Sequence, residues 1–149
     1  MAKLFLSGPL FTVAERDFNA GLARFLTAQG FEVWLPQERA TRGGAKAIFR
    51  SCVKGIEWAD AVVACMDGPD PDSGTAWEVG YAYARGKPIV CYRSDFRTGG
   101  DAKNAPYNLM LSEAATAHIE FAPQATAIDL HQRVLAQICK TLRVRRAKR

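Results

Sequence analysis

Apolar and polar residues alternate along this chain in two rhythms, and the boundaries between them are marked by glycine and proline. Residues 3–8 (KLFLSG) form a short apolar run that stops at Gly8-Pro9, which predicts a buried strand. Phe18, Leu22, Phe25 and Leu26 then share one face at helical spacing, and Gly30 ends that helix. Residues 31–36 (FEVWLP) alternate and stop at Pro36, predicting a second strand, and the polar stretch 36–47 predicts a mobile loop. Ile48, Phe49, Cys52, Val53 and Ile56 give an amphipathic helix over 47–60. Residues 60–67 (DAVVACMD) predict a third strand, buried on both faces because its run is apolar and β-branched. A turn-rich loop (68–74), a helix ending at Gly86-Lys87-Pro88 and a fourth strand (88–93) follow. After a Gly-containing loop (94–106) come a short helix (107–115), a fifth strand (118–121) and a final helix bearing Leu130, Val134, Ile138 and Leu142.

Strand and helix alternate without an internal repeat or a linker, so the pattern predicts one α/β domain over residues 1–149. Five strands suit a flavodoxin-like, doubly wound parallel sheet in three layers, in which ligands bind beyond the carboxyl ends of the strands. The segments there are Ser7 to Phe11, Pro36 to Glu38, Asp67 to Gly74 and Arg93 to Gly100, where most of the polar, Gly-rich or Pro-rich sequence lies. A fold of this kind does not by itself set a function.

Charge narrows the partners. Five of the 20 basic residues fall in the last seven (RVRRAKR, 143–149), and the other 15 match the 15 acidic ones. The body is therefore neutral, a nucleic-acid groove on it is not indicated, and the basic terminus is expected to be frayed and solvated. Cys52, Cys65, Cys91 and Cys139 are widely spaced, without a C-x-x-C or a metal-type pairing with His118 or His131. Reduced thiols in a cytoplasmic protein, with no metal, no membrane span and no signal peptide, are expected. The absence of a G-x-x-x-x-G-K-[ST] phosphate loop disfavours that mode of nucleotide binding.

The stretch DSGTAWEVGYAYARGKP (72–88) places one carboxylate, Glu78, in an otherwise apolar helical pattern. Two readings stand open. Thr75 and Glu78 have the T-x-x-E spacing of a capping box, which would make Glu78 part of its own helix start. Alternatively the helix delivers Glu78 to the ligand edge of the sheet, its positive end keeps the carboxylate ionised, and the carboxylate attacks an electrophilic carbon. Asp72 would face the same cleft as an acceptor for substrate hydroxyls, or be an ordinary turn aspartate. Gly74 is expected to permit a tight turn. Gly80 costs a helix about 1 kcal/mol relative to alanine and is expected to mark close packing against the sheet or a ligand. Tyr81 and Tyr83 read as core or interface residues.

FLSGPLF (5–11), ADAVVACMDG (59–68), DSGTAWEVGYAYARGKP and DFR…NLML (95–97, 108–111) together resemble the nucleoside 2-deoxyribosyltransferase family, over residues 3 to about 115. The resemblance implies a flavodoxin-like fold, no cofactor, nucleotide salvage chemistry, and a nucleoside and a free nucleobase as partners. It implies a double displacement at C1′ with Glu78 as nucleophile and net retention, the logic of retaining glycosidases. Asp72 matches the aspartate that holds the sugar 5′-hydroxyl. Gly8, Phe5 and Gly74 fall in the matched motifs around the substrate. Asn108 matches an asparagine that enters a neighbouring subunit's site, with Met110 close by, so the resemblance implies a homo-oligomer, a dimer or higher.

Two positions depart from the family pattern. Phe5 stands where the family often has a tyrosine hydrogen-bonded to the nucleophile, and related hydrolases of ribonucleotides also carry phenylalanine there. Cys52 stands where many members have an aspartate that helps protonate the leaving base; a thiol with a pKa of about 8.5 is a poorer acid at neutral pH. Asp67, Gln37 and Glu38 are the alternatives for that role, and Cys52 otherwise reads as a packed helix residue. Relatives acting on nucleoside 5′-monophosphates tend to have serine where this chain has Asp72, which favours a nucleoside substrate here, since like charges repel strongly in a desolvated site. Arg93, Asp95 and Arg97 would clamp a substrate, cross a subunit interface, or form a surface ion pair. The leading expectation is base exchange on 2′-deoxyribonucleosides. An N-glycoside hydrolase with water as acceptor and a non-catalytic nucleoside-binding module are the alternatives.

Overall fold

The computed structural model describes residues 1–39, 43–97, 99–101, 106–120 and 125–147. Five parallel strands form one sheet in the order β2-β1-β3-β4-β5, the doubly wound order expected for a flavodoxin-like fold. The strands are β1 (Lys3–Ser7), β2 (Glu32–Trp34), β3 (Ala61–Cys65), β4 (Ile89–Arg93) and β5 (Ala117–Glu120). The helices are α1 (Val13–Ala28), α2 (Pro36–Arg39), α3 (Ala45–Trp58), α4 (Ser73–Ala84), α5 (Leu109–Ala114) and α6 (Ala127–Ala147).

Alternation along the strands sorts their side chains into two cores. Leu4, Leu6, Val63, Cys65, Val90 and Tyr92 pack with Leu22 and Leu26 of α1 and Leu130, Val134 and Ile138 of α6. Phe5, Val62, Ala64, Ile89 and Cys91 face the other layer, with Ile56 of α3 and Val79 and Ala82 of α4. Every residue of β3 and β4 is buried, as an apolar strand covered on both sides requires. Gly30 and Gly86 adopt φ of 86° and 64° just past α1 and α4, the left-handed conformation that ends a helix.

The structure corrects several expectations at element ends. The stretch 36–47 is not all loop: Pro36 opens the short helix α2, its fixed φ suiting a first helical turn, and α3 starts two residues before the expected 47. Residues 40–42 of that stretch lie outside the described residues. The basic end is not frayed throughout, because α6 continues to Ala147; Lys148 and Arg149 lie outside the described residues. Among the described residues no helix is long and apolar enough to cross a membrane, and no group of three metal-ligating side chains occurs.

Candidate active site at the carboxyl edge of the sheet

Connections leave β1 toward β2 and β3 toward β4, so the chain diverges between the carboxyl ends of β1 and β3, the place where doubly wound sheets open a crevice. Ser7 ends β1 there, paired in register with Ala64 of β3. It lies on the same strand face as Phe5 and is 3% exposed. Its hydroxyl donates to Glu78 Oε2 at 2.5 Å, 71 residues away in sequence. From α3, Cys52 interacts with the same carboxyl group. Three elements thus converge on Glu78: the end of β1, the middle of α3 and the body of α4.

α4 begins one residue after Asp72, whose Oδ2 accepts from the Thr75 amide at 2.8 Å and from the Thr75 hydroxyl at 3.1 Å. Asp72 is therefore the N-cap, and the expected capping box between Thr75 and Glu78 is absent. Glu78 is the sixth helical residue, too deep to reach back to the helix start. The T-x-x-E box forms instead at Thr12 and Glu15, at the start of α1. Gly74 lies inside the first turn of α4, not at a tight turn; a Cβ there would sit 3.1 Å from Asp72 Oδ2, so its small size leaves room for the cap.

The ionisation of Glu78 is set by burial. Desolvation raises its carboxyl above the ordinary range, the bonds to Ser7 and Cys52 oppose that, and the nearby Asp72 charge adds to it. This corrects the expectation that the helix start keeps Glu78 ionised: helix-end fields fade beyond the first turn. Burial beside Glu78 pushes the Cys52 thiol up to about 12, so it stays protonated at neutral pH and offers a donor.

The other residues singled out in the sequence have contacts of their own. Phe5 is fully buried, beneath Gly55 of α3. Gly8 follows Ser7, and a Cβ on it would lie 3.1 Å from Cys65 Cβ, so it lets the β1–α1 loop descend onto β3. Gln37 donates to the Arg16 carbonyl at 2.9 Å and accepts from Asn19 at 3.5 Å, while Asn19 donates to the Pro9 carbonyl at 2.9 Å. Gln37 therefore braces the loop after β1. Asp67 accepts from the Ser94 and Asp95 amides at 2.6 and 3.0 Å and from the Ser94 hydroxyl, which commits it to joining the loops after β3 and β4. Arg93, 4% exposed, donates to the Met66, Gly68 and Arg97 carbonyls in the same seam. Asp95 pairs with Arg97, and that guanidinium holds its carboxyl well below the usual carboxylate range. Asn108 caps α5, accepting from the Met110 amide at 2.9 Å and donating to Asp101 at 3.0 Å, and Met110 is 73% exposed.

Residues 4–110 match the family model described as nucleoside 2-deoxyribosyltransferase. The chain belongs to the nucleoside 2-deoxyribosyltransferase family. Among solved structures it is similar to a 2-deoxyribosyltransferase from Bacillus psychrosaccharolyticus, with 25% identity, a TM-score of 0.69, and coverage of 87% of this chain and 90% of that one. A conserved protein from Enterococcus faecalis V583 matches at 25% identity and a TM-score of 0.71, covering 92% of this chain and 99% of the other. A CMP N-glycosidase from Clostridium botulinum shares the fold, with 19% identity, a TM-score of 0.63, and coverage of 89% and 97%. No curated protein matches the sequence. Family membership makes this an enzyme type that acts on the glycosidic bond of nucleosides.

Ser7 was not among the residues selected from the sequence. One signal was available: it is the polar residue that closes the apolar run Leu4–Leu6, on the same face as Phe5, at the strand's ligand end. What the linear sequence does not encode is which carboxylate, 71 residues on, it would meet.

Proposed function

We propose that this protein is a nucleoside 2-deoxyribosyltransferase that works by retaining double displacement through Glu78. The observation that carries the reading is Glu78 itself: a largely desolvated carboxyl group at the sheet's switch point, held by the Ser7 hydroxyl from β1, in a chain of this family. In the first step a carboxylate oxygen attacks C1′ of the nucleoside. The C1′–O bond forms, the C1′–N bond breaks, and its electron pair leaves with the base nitrogen, which takes up a proton. In the second step the nitrogen of another base attacks C1′ from the opposite face, loses its proton, and returns the electron pair to Glu78. Asp72 has one carboxyl oxygen committed to the helix cap and the other left for the sugar 5′-hydroxyl. Its negative charge favours a nucleoside over a 5′-monophosphate.

The working unit in this proposal is a single domain assembled as a homo-oligomer. An apolar surface supports it: Phe49 and Trp77, 51% and 45% exposed, meet edge to face, and Trp77 stacks on Tyr81. Gly80 lies on the same helix with no atom within 4 Å of a Cβ built on it. The close packing expected of Gly80 is thus absent among the described residues of one chain, which leaves room for a second copy to approach.

Hydrolysis is the second reading, favoured by Phe5, since related hydrolases of ribonucleotides also carry phenylalanine at this position. The test for both is incubation with 2′-deoxyinosine and free adenine, with chromatographic separation of the products. Formation of 2′-deoxyadenosine, lost by at least ~10⁴-fold in Glu78→Ala, is the expected result. Free hypoxanthine and deoxyribose without exchange would establish hydrolysis. Silence across ribo- and deoxynucleosides of both base classes would leave a binding module.

A further inference from the structure

Glu78 has two carboxyl oxygens, and the hydroxyl of Ser7 engages one of them. That hydroxyl is almost wholly buried, and among the described residues it has no other hydrogen-bond partner than Glu78 Oε2, at 2.5 Å. β1 is an interior strand at the switch point, paired with β2 along Lys3–Phe5 and with β3 along Leu4–Ser7, so Ser7 sits on backbone held in the sheet. Phe5, its neighbour on the same face, carries no polar atom. The groups facing Glu78 are Ser7 from β1, Cys52 from α3 and Asp72 from the start of α4.

We propose that Ser7 is a positioning residue that holds Glu78 through Oε2 and leaves Oε1 as the oxygen that attacks the sugar. The inference rests on the reading of Glu78 as nucleophile. Its consequence follows from where charge resides. The hydrogen bond from Ser7 is strongest when the carboxylate is charged, before attack and again as the glycosyl ester breaks. Ser7 therefore favours the ionised form of Glu78 and assists its departure from C1′ in the second step. A buried carboxylate without that donor takes up a proton more readily. Cys52 stays a neutral thiol in the working range, and Asp72 supplies the nearby negative charge.

The test compares Ser7→Ala and Ser7→Thr with the unsubstituted protein, using two readouts. One is the ¹³C NMR titration of the Glu78 side-chain carboxyl, assigned by loss of its signal in Glu78→Gln, which requires no turnover. The other is the acid limb of the pH–rate profile with 2′-deoxyinosine and adenine. Ser7→Ala is expected to move both midpoints to higher pH together and to lower the plateau rate by about 10- to 100-fold, the size of a lost hydrogen bond to a charged group. Ser7→Thr, which keeps a hydroxyl, is expected to restore both midpoints. A Glu78 titration unchanged in Ser7→Ala would overturn the proposal, as would a shift that Ser7→Thr fails to reverse in a folded protein. Turnover retained by Glu78→Gln would instead remove the nucleophile reading and leave the titration result standing.

Discussion

If Glu78 is the nucleophile proposed above, it carries a conflict between stability and function. Its carboxyl is half-buried between α3, α4 and the end of β1, and desolvation raises it from the ordinary 4.5. The sign of the pH dependence follows. Below 4.5 the residue is protonated in both the folded and unfolded chain. As pH rises, the unfolded chain loses the proton first, so the folded state binds the extra proton and loses relative stability until Glu78 itself ionises. The contribution of protonated Glu78 is thus present at acid pH and gone above its raised value. Glu78→Gln cannot ionise, so its melting temperature relative to the unsubstituted protein should increase with pH and then level off above the raised pKa. Calorimetry from pH 4 upward checks this, and a difference independent of pH would contradict the burial argument. Ionised Glu78 is the form a nucleophile needs, so the same group should set an activity that rises over the pH range in which stability falls.

At the scale of elements, the site depends on how closely α3 approaches the sheet. Gly55 makes that approach possible: a Cβ there would lie 2.7 Å from Trp34 Nε1 and 2.8 Å from the Phe5 ring. Both neighbours are buried, so neither can yield without repacking the core. Gly55→Ala gains up to ~1 kcal/mol in helix propensity but should lose more by overpacking, typically ~1–3 kcal/mol. Its urea midpoint is expected to fall, and the Cys52 face of α3 should lift away from Glu78. An unchanged midpoint would show that α3 shifts freely. Element existence was largely legible in the hydrophobic period, because strands buried on both faces and amphipathic helices leave strong patterns. Element starts were less so. Asp72 outcompeted Thr75 for the cap of α4, and either residue type caps a helix, so spacing alone could not choose.

Across the whole molecule, the order β2-β1-β3-β4-β5 brings the ends of β1 and β3 together and gathers Ser7, Asp72 and Glu78 at one edge. The loops after β3 and β4 are then sewn together by Asp67 and Arg93. The exposed aromatic surface on α3 and α4 belongs to this scale too, since no element among the described residues covers it. Burying such rings typically stabilises an interface, whereas a charge among them does not. Sedimentation velocity should show an oligomer for the unsubstituted protein and monomers for Trp77→Glu at the same concentration. A monomer in both would remove the proposed assembly, and with it the role implied for Asn108 in a neighbouring site.

The sequence by itself determined the α/β alternation, the strand count, the family and the prominence of Glu78 and Asp72, because periodicity, turn residues and motif spacing are local properties of the chain. Only the tertiary structure decided what Glu78 touches. Its partners Ser7 and Cys52 are 71 and 26 positions away, and their convergence depends on strand order and on a glycine that lets α3 settle onto Phe5. Ionisation was decided there as well. Whether a carboxyl is raised or lowered depends on burial summed over several elements, and no spacing along the chain records that sum.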